Sequence, residues 1–375
     1  MLSTRVKIID AIRIGKNNFS KKDVCTHSGV SWGAMYKIVD TLLAEGVVFT
    51  RNEKPIGRGR PNVPLCINPA AACYCGIDIG AHSTKILFVD LNFNILYQEK
   101  VETLFYSDEE NFFKWLAECF RNTQMHSGIA DDKINAVGLS ISGTVDSEHG
   151  IIVSGANWGM TRGANLPVTK LASAIRHPVC VYSTQVAAVL AEYHFGKEAG
   201  RGNLVTIGLG VGIGSGAIAN HMLLVSHPSR LVGYIGHILI PGNDRDCVCG
   251  WHGCLEAYSG GDSLLKAIAS RTDIRSAKDI DLAAASGDPV AIEIMDTAAR
   301  YNAIGVAGMI QLYSPEAVIF SGGQVRREGY LYRQTLVELK KLLPPNRRDC
   351  IFDITKLGEF QSALGAARLA FEKFF

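Results

Sequence analysis

The residues with the plainest chemistry lie in Cys247-Val248-Cys249-Gly250-Trp251-His252-Gly253-Cys254-Leu255-Glu256, with Gly236-His237 just upstream. Three thiols in a C-x-C-x4-C arrangement plus an imidazole are ligands that Zn2+ prefers, and the glycines let so short a loop wrap an ion. With His237, Cys247, Cys249 and Cys254 the set is a complete tetrahedron. Such a metal is structural, because no position stays open for substrate. His252, inside the loop, competes with His237 for the fourth place. The plain alternative is buried cysteines acting as small apolar residues. Three Cys within residues 247–254, beside glycines and a spaced His, do not follow core patterning.

Two glycine-bearing turns are candidates for phosphate. Gly208, Gly210, Gly212, Gly214 and Gly216 alternate between two apolar runs, and a hairpin so built can expose its amides to an anion. A tight turn without a ligand is the alternative. Ala317–Ser321, entering Gly322-Gly323 and then a helix, is a second candidate nucleotide loop.

The elements that carry these residues follow from periodicity. Arg5–Arg13 has apolar residues at helical spacing. Ser20 with Asp23 predicts a capping-box-like start for a second helix, ending near His27; Ser28-Gly29-Val30 turns the chain. Ser31 is the expected cap of a third helix, Trp32 to about Glu45, with Met35, Ile38, Val39, Leu42 and Leu43 on one face. Helix, short Gly turn, helix is the helix-turn-helix pattern, whose second helix enters a DNA major groove. Ser31, Trp32, Ala34, Tyr36 and Lys37 turn away from its apolar face, although Trp32 has the alternative of packing on the first helix. Short strands near Val47–Arg51 and Val63–Ile67 make a wing. Between them Gly57-Arg58-Gly59-Arg60-Pro61 is narrow and cationic enough for a minor groove or a phosphate track. Arg51, Arg58 and Arg60 join the candidate DNA contacts.

Beyond the boundary at Asn68–Ala72, Tyr74–Gly80, Lys85–Asp90 and Asn94–Gln98 read as a strand meander, followed by a helix from Asp108 to Ser127. Ile134–Ile141 and Pro178–Tyr182 read as strands, and Thr184–Phe195 as a helix. Strands at Asn203–Leu209, Gly214–Ala219 and Ala317–Ser321 repeat the theme. Two meander-then-helix lobes with a cleft between them are the actin/hexokinase-like (RNase H-like) α/β plan. The expected boundaries are 1–70 for the winged head and linker, 71–195 for a first lobe with the C-terminal helix 361–375 packed back on it, and 196–360 for a second lobe.

Length and charge agree. A chain of 375 residues fits two or three domains. No apolar run reaches membrane-spanning length and the start lacks a signal-peptide core, so a cytoplasmic protein without membrane insertion is expected. Ten cysteines then mean reduced thiols plus a metal, not a disulfide framework. The net charge of +2 divides unevenly: residues 1–65 carry +6 and the remainder −4. A small basic head on a slightly acidic body favours a polyanionic partner for the head.

Asp78-Ile79-Gly80, the Gly208–Gly214 run, Gly236-His237, the cysteine cluster through Glu256 and Gly322-Gly323 together resemble the ROK family of repressors and sugar kinases. The resemblance covers the whole chain, since a winged head before such a body is similar to the repressor branch. It implies sugar contact by His237 and Glu256, and by Asn157 or, with different spacing, Asn165. Glu256 has the alternative of orienting a metal ligand, and Asn157 that of a turn residue.

The resemblance also shows what is missing. The family's kinases place an Asn-Asp pair at a strand end, the Asp taking the proton from the sugar hydroxyl. Here Ser183-Thr184 stands there, and a Thr hydroxyl does not titrate near neutral pH. Asp-x-Gly-Gly-Thr is replaced by Asp78-Ile79-Gly80-Ala81-His82, and the sugar-contacting Glu by Tyr234. The implied protein is a DNA-binding regulator, most simply a repressor of carbohydrate genes. It would act as a homodimer or homotetramer on a palindromic operator and answer to a sugar, a sugar phosphate or a protein partner. A sugar kinase with an added head is the alternative.

Overall fold

The computed structural model describes residues 2–51, 63–104, 108–155, 165–225 and 232–375. Arg58, Arg60, the wing turn and Asn157 lie outside the described residues. The head begins with α1 (Thr4–Ile14), α2 (Lys21–Ser28) and α3 (Trp32–Ala44). Ser20 Oγ accepts from the Asp23 amide and the Asp23 carboxylate accepts from the Ser20 amide, so α2 starts with a full capping box. Ser31 stands before α3, but its hydroxyl makes no capping bond, contrary to expectation. Burial of Met35, Val39 and Leu42 holds that helix instead. β1 (Val48–Thr50) pairs antiparallel with β2 (Leu65–Ile67).

The body holds two sheets of one plan. β3 (Cys73–Ile79), β4 (Ser83–Asp90) and β5 (Ile95–Glu102) form an antiparallel meander. α4 (Glu109–Ser127) follows, then β6 (Ile134–Ile141). β7 (Thr144–Asp146), β8 (Ile151–Ser154) and β9 (Leu166–Pro167) make a small separate sheet before α5 (Thr169–Ile175), β10 (Val179–Ser183) and α6 (Thr184–Phe195). The sheet order is β10-β6-β3-β4-β5, with β3, β6 and β10 parallel. The second lobe repeats it. β11 (Leu204–Leu209), β12 (Ile213–Ala219) and β13 (Met222–Leu223) form the meander; α7 (Glu256–Ser259), α8 (Gly261–Ala267), α9 (Ala277–Ala285) and α10 (Pro289–Tyr313) follow. β14 (Ala317–Ser321), α11 (Tyr330–Leu342), β15 (Ile351–Ile354) and α12 (Gln361–Phe374) complete the chain, in sheet order β13-β12-β11-β14-β15. The central strands are buried throughout, as strands covered on both faces must be.

α12 returns to the first sheet. At Gly76 on β3 and Gly138 on β6 an added Cβ would meet the carbonyl oxygens of Ala363 and Ala366 at 1.8 and 1.9 Å. Only glycine lets the helix lie so close.

The head is not tethered loosely. Its core residues Val6, Ile9 and Leu42 join one apolar cluster with Tyr74, Leu87 and Phe371 of the body. At the seam Arg368 of α12, fully buried, donates Nη1 to Asp10 Oδ1 of α1 at 2.7 Å and Nε to Glu372 at 2.9 Å. Arg13 also pairs with Asp10 and donates to the Leu91 carbonyl at 2.8 Å. The Arg13 guanidinium lies 4.9 Å from the Phe93 ring and that of Arg368 4.9 Å from Phe371. His194, near the end of α6, reaches Glu372 at 3.4 Å. Burial alone would raise the Asp10 carboxyl, but the Arg368 and Arg13 charges prevail and bring it down to about 2. Burial, reinforced by Arg368, pushes His194 down. Two carboxylates then face two guanidiniums around a neutral imidazole.

Candidate metal centre and interlobe cleft

The chain from Gly233 to Glu256 folds by short local bonds. Ile235–His237 is a single 3-10 turn, and isolated bridges join Leu239 to Cys254 and Asp246 to His252. The Cys247 amide donates to the Trp251 carbonyl at 2.8 Å and the Gly250 amide to that of Cys247 at 2.9 Å. Gly250 and Gly253 take the left-handed conformation such a loop needs, at φ +88° and +74°. Tyr258 Oη, from α7, accepts from the amides of Asp244 and Arg245 at 3.2 and 3.1 Å and fixes the loop's entry.

This brings His237, Cys247, Cys249 and Cys254 together, with their ligand atoms all within 4.8 Å of one another. Cys247 Sγ is 3.6 Å from His237 Nδ1, and Cys249 Sγ 3.7 Å from Cys254 Sγ. The four can hold a metal ion with every position of a tetrahedron filled. His252 is turned away: its Nδ1 lies 2.7 Å from Asp246 Oδ1 on the exposed side of the loop. The choice left open between the two histidines therefore falls on His237. Burial raises the thiols of Cys247 and Cys254, so thiolates there need a cation beside them.

The cluster forms one wall of a cleft of about 800 Å3 between the lobes, lined by Thr144, Ser183, Thr184, Tyr234, His237 and Glu256 among others. Thr184 opens α6, with Ser183 as its cap. The Thr184 hydroxyl donates to Asp78 Oδ1 at 3.3 Å, and Ser140 Oγ donates to the same oxygen at 2.8 Å. Lys85 Nζ stands 3.7 Å from Asp78 Oδ2. A carboxylate thus lies beside Thr184. It stands on β3, however, with both oxygens engaged by side chains of β6, β4 and α6 and 6% exposure. Burial raises the Asp78 carboxyl, and Lys85 and the hydroxyl donors oppose that only in part.

Tyr234 lines the cleft from the second lobe. Its hydroxyl lies 3.0 Å from Thr144 Oγ1, so one hydrogen bond joins the second lobe to the first across the cleft. Glu256, 7% exposed, accepts from the Ile213 amide at 2.7 Å, and burial pushes its carboxyl up. His237 turns Nδ1 to Cys247 and also lines the cleft. Asn165 is exposed in a left-handed turn, φ +45°, and does not line the cleft.

The glycine hairpin departs from expectation. Gly208 and Gly214 are cross-strand partners, and an added Cβ at either would come within 2.4 or 2.7 Å of the Gln185 side chain. These two glycines make room for a glutamine; they are not an open phosphate cradle. The second candidate loop also differs. Gly322 has φ +101°, but the next helix begins only at Tyr330, and Gln324 Nε2 bonds the Gly210 and Ser259 carbonyls at 2.5 and 3.2 Å.

On the head, Ser31, Trp32, Tyr36 and Lys37 form the exposed edge of α3, and Arg51 is exposed just past β1. Trp32 is 48% exposed and stacks edge-on with Tyr36 instead of entering the core. Reading the residues alone missed Thr144, Gln185 and Tyr258. Gln185 carried a usable signal, directly following Thr184 at the cleft end of a helix; the partners of Thr144 and Tyr258 are set only by tertiary contact.

The sequence model of the ROK family matches residues 74–373. The chain belongs to the ROK family. Among curated relatives, a glucokinase of Thermotoga maritima is 29% identical over 273 residues, covering 68% of this chain and 84% of the relative. A xylose repressor of Bacillus spizizenii is 23% identical over 357 residues, covering 95% and 91%. A solved ROK family transcriptional regulator, described as a homolog of the E. coli MLC protein, superposes with a TM-score of 0.80 at 23% identity over 99% of this chain and 97% of its own. The ROK fold is thus shared with regulators and with kinases. No described helix is long and apolar enough to cross a membrane.

Proposed function

We propose that this ROK protein is a sequence-specific DNA-binding transcriptional regulator, a cytoplasmic repressor of carbohydrate-utilisation genes, whose body senses a ligand without phosphorylating it. Residues 1–70 grip DNA through Ser31, Trp32, Tyr36, Lys37, Arg51, Arg58 and Arg60. Residues 71–195 with 361–375, and 196–360, form the two lobes of the effector and oligomerisation module. The observation that supports this most is Thr184: at the cleft end of α6, where a phosphoryl-transfer base belongs, it offers a hydroxyl already donated to Asp78. The match to the repressor over 95% of the chain, head included, points the same way.

The metal in this reading is Zn2+, held by His237, Cys247, Cys249 and Cys254. Zn–S bonds of about 2.3 Å and a Zn–N bond of about 2.1 Å require S···S and S···N edges of about 3.8 and 3.6 Å. The separations of 3.7 and 3.6 Å fit. Bound zinc would tie His237 to the loop and fix one wall of the cleft. A sugar entering there would meet Glu256 and the free nitrogen of His237, with Asn157 as a further contact, and would displace the Tyr234–Thr144 bond. α6 starts at the cleft and carries His194 near its end, beside the Asp10–Arg368 joint, so a shift of the lobes would reach α1. A homodimer would place two heads on the half-sites of a palindrome.

The second reading, a sugar kinase, is favoured by one observation: Asp78, a carboxylate with its acidity weakened, lies 3.3 Å from Thr184 Oγ1. Coupled ADP-release assays with a hexose panel separate the two. No sugar-dependent release is expected; steady turnover of about 1 s−1 or more, in the usual enzymatic range, would establish the kinase instead. Retardation of a palindromic fragment from the gene's own upstream region tests the regulator directly, and equal binding to all duplexes would count against it.

A further inference from the structure

The outward edge of α3 has an unusual composition for a helix that reads bases. From Ser31 to Lys37 the exposed side chains are Ser31, Trp32, Tyr36 and Lys37, while Met35 is buried. This stretch has no Arg, Asn, Gln, Asp or Glu. Together with lysine, present here only as Lys37, those are the side chains that make bidentate bonds to guanine and adenine or accept from cytosine. In their place stands an aromatic pair: Trp32 is 48% and Tyr36 38% exposed, with ring centroids 5.0 Å apart in edge-to-face contact. The pair is held in position. Lys21 Nζ sits 4.5 Å from the Tyr36 centroid and pairs with Asp40 at 2.8 Å. Between the two aromatics Gly33 has open space where a side chain would stand, so the backbone there can approach a surface closely. Around this apolar edge the head carries a charge of +6, with Lys22, Lys37 and Arg51 exposed, which complements a polyanion.

We infer that Trp32 and Tyr36 read thymine through its C5-methyl group, and that the half-site under α3 is therefore thymine-rich. The inference rests on the DNA-binding reading above. Thymine is the base that offers an apolar group in the major groove, and Trp32 and Tyr36 are the apolar surfaces α3 presents there. Lys37 and the wing supply position on the phosphates; the aromatic edge supplies the choice of base. Burying one methyl against a ring is worth about fourfold in affinity.

The test uses the full chain. Duplexes with a random core are selected on it at about 0.15 M salt, and the winning duplex is remade with deoxyuridine replacing thymidine one position at a time, which removes only the methyl. We expect thymine-rich half-sites and a loss of about fourfold at one or two positions. We expect the same deoxyuridine duplexes to bind Trp32→Ala or Tyr36→Ala with no further loss relative to their parent duplex. Both side chains are exposed, so unchanged circular dichroism will verify folding, and Trp32→Phe should keep part of the sensitivity. A selected duplex indifferent to deoxyuridine at every position, or equally sensitive in the Ala variants, overturns the inference alone. Failure to enrich any duplex overturns the DNA-binding reading along with it.

Discussion

Replacing Asp10 by Asn tests whether the buried ion cluster holds the head to the body. The variant keeps the shape and one acceptor oxygen but removes the charge facing Arg368, which has no exposure to water. Bringing a carboxyl from 3.8 to about 2 corresponds to about 2 kcal/mol of stability at neutral pH. The full truncation Asp10→Ala, which strands a buried guanidinium, is expected to cost about 3–5 kcal/mol. The folded-state value lies below the unfolded one, so this stabilisation is complete above about pH 5 and is lost as pH falls through the folded value near 2. At pH 3 about half should remain. Urea unfolding of wild type and Asp10→Asn at pH 7, 5 and 3 gives the gap directly. Glu359→Gln is the control, because the Lys100–Glu359 pair at 2.7 Å is half exposed and its loss should change stability by no more than about 1 kcal/mol. A gap at pH 7 no larger than the control's, or one that stays constant down to pH 3, would refute the reasoning.

Three further outcomes are expected. Elemental analysis of chelator-free protein should give one zinc per chain, Cys254→Ser should reduce it, and chelation should lower the melting temperature; unchanged melting after metal loss would remove the structural role. Lys37→Ala should weaken DNA binding across sequences and reduce the slope of log affinity against log salt by about one, whereas an unchanged slope would mean that Lys37 meets no phosphate. Tyr234→Phe removes the bond to Thr144 that spans the cleft; a stability loss of about 1 kcal/mol and faster proteolysis between the lobes are expected, and wild-type behaviour in both would show that the bond does not restrain them.

What could be read from the chain divides by the range of the interaction. The fold class was legible because β3, β6, β11 and β14 are apolar runs ending in glycine or small polar residues, and because the Ser20–Asp23 cap is local. The candidate metal ligands were legible for the same reason: three stand within one loop. The choice between His237 and His252 was not, since it depends on which ring the bridge from Leu239 to Cys254 turns inward. The stack of α8, α9 and α10 went unread. Its Ala-rich faces give weak periodicity, and it is assembled by contacts among Leu264, Ile280, Met295 and Leu331 far apart in sequence. The Asp10–Arg368 joint spans nearly the whole chain, so no local pattern announces it. The glycine hairpin was legible only in part, because glycines serve phosphate cradles and close packing alike, and the Gln185 side chain shows close packing at Gly208 and Gly214.

The central claim is that a kinase-type body has become the sensor of a DNA-reading head. The most direct measurement is competition binding of the full chain to its selected palindromic duplex against scrambled DNA at about 0.15 M salt. The account predicts a preference of about 1,000-fold or more, as specific regulators show. A ratio near one, with affinity set by salt alone, would contradict it.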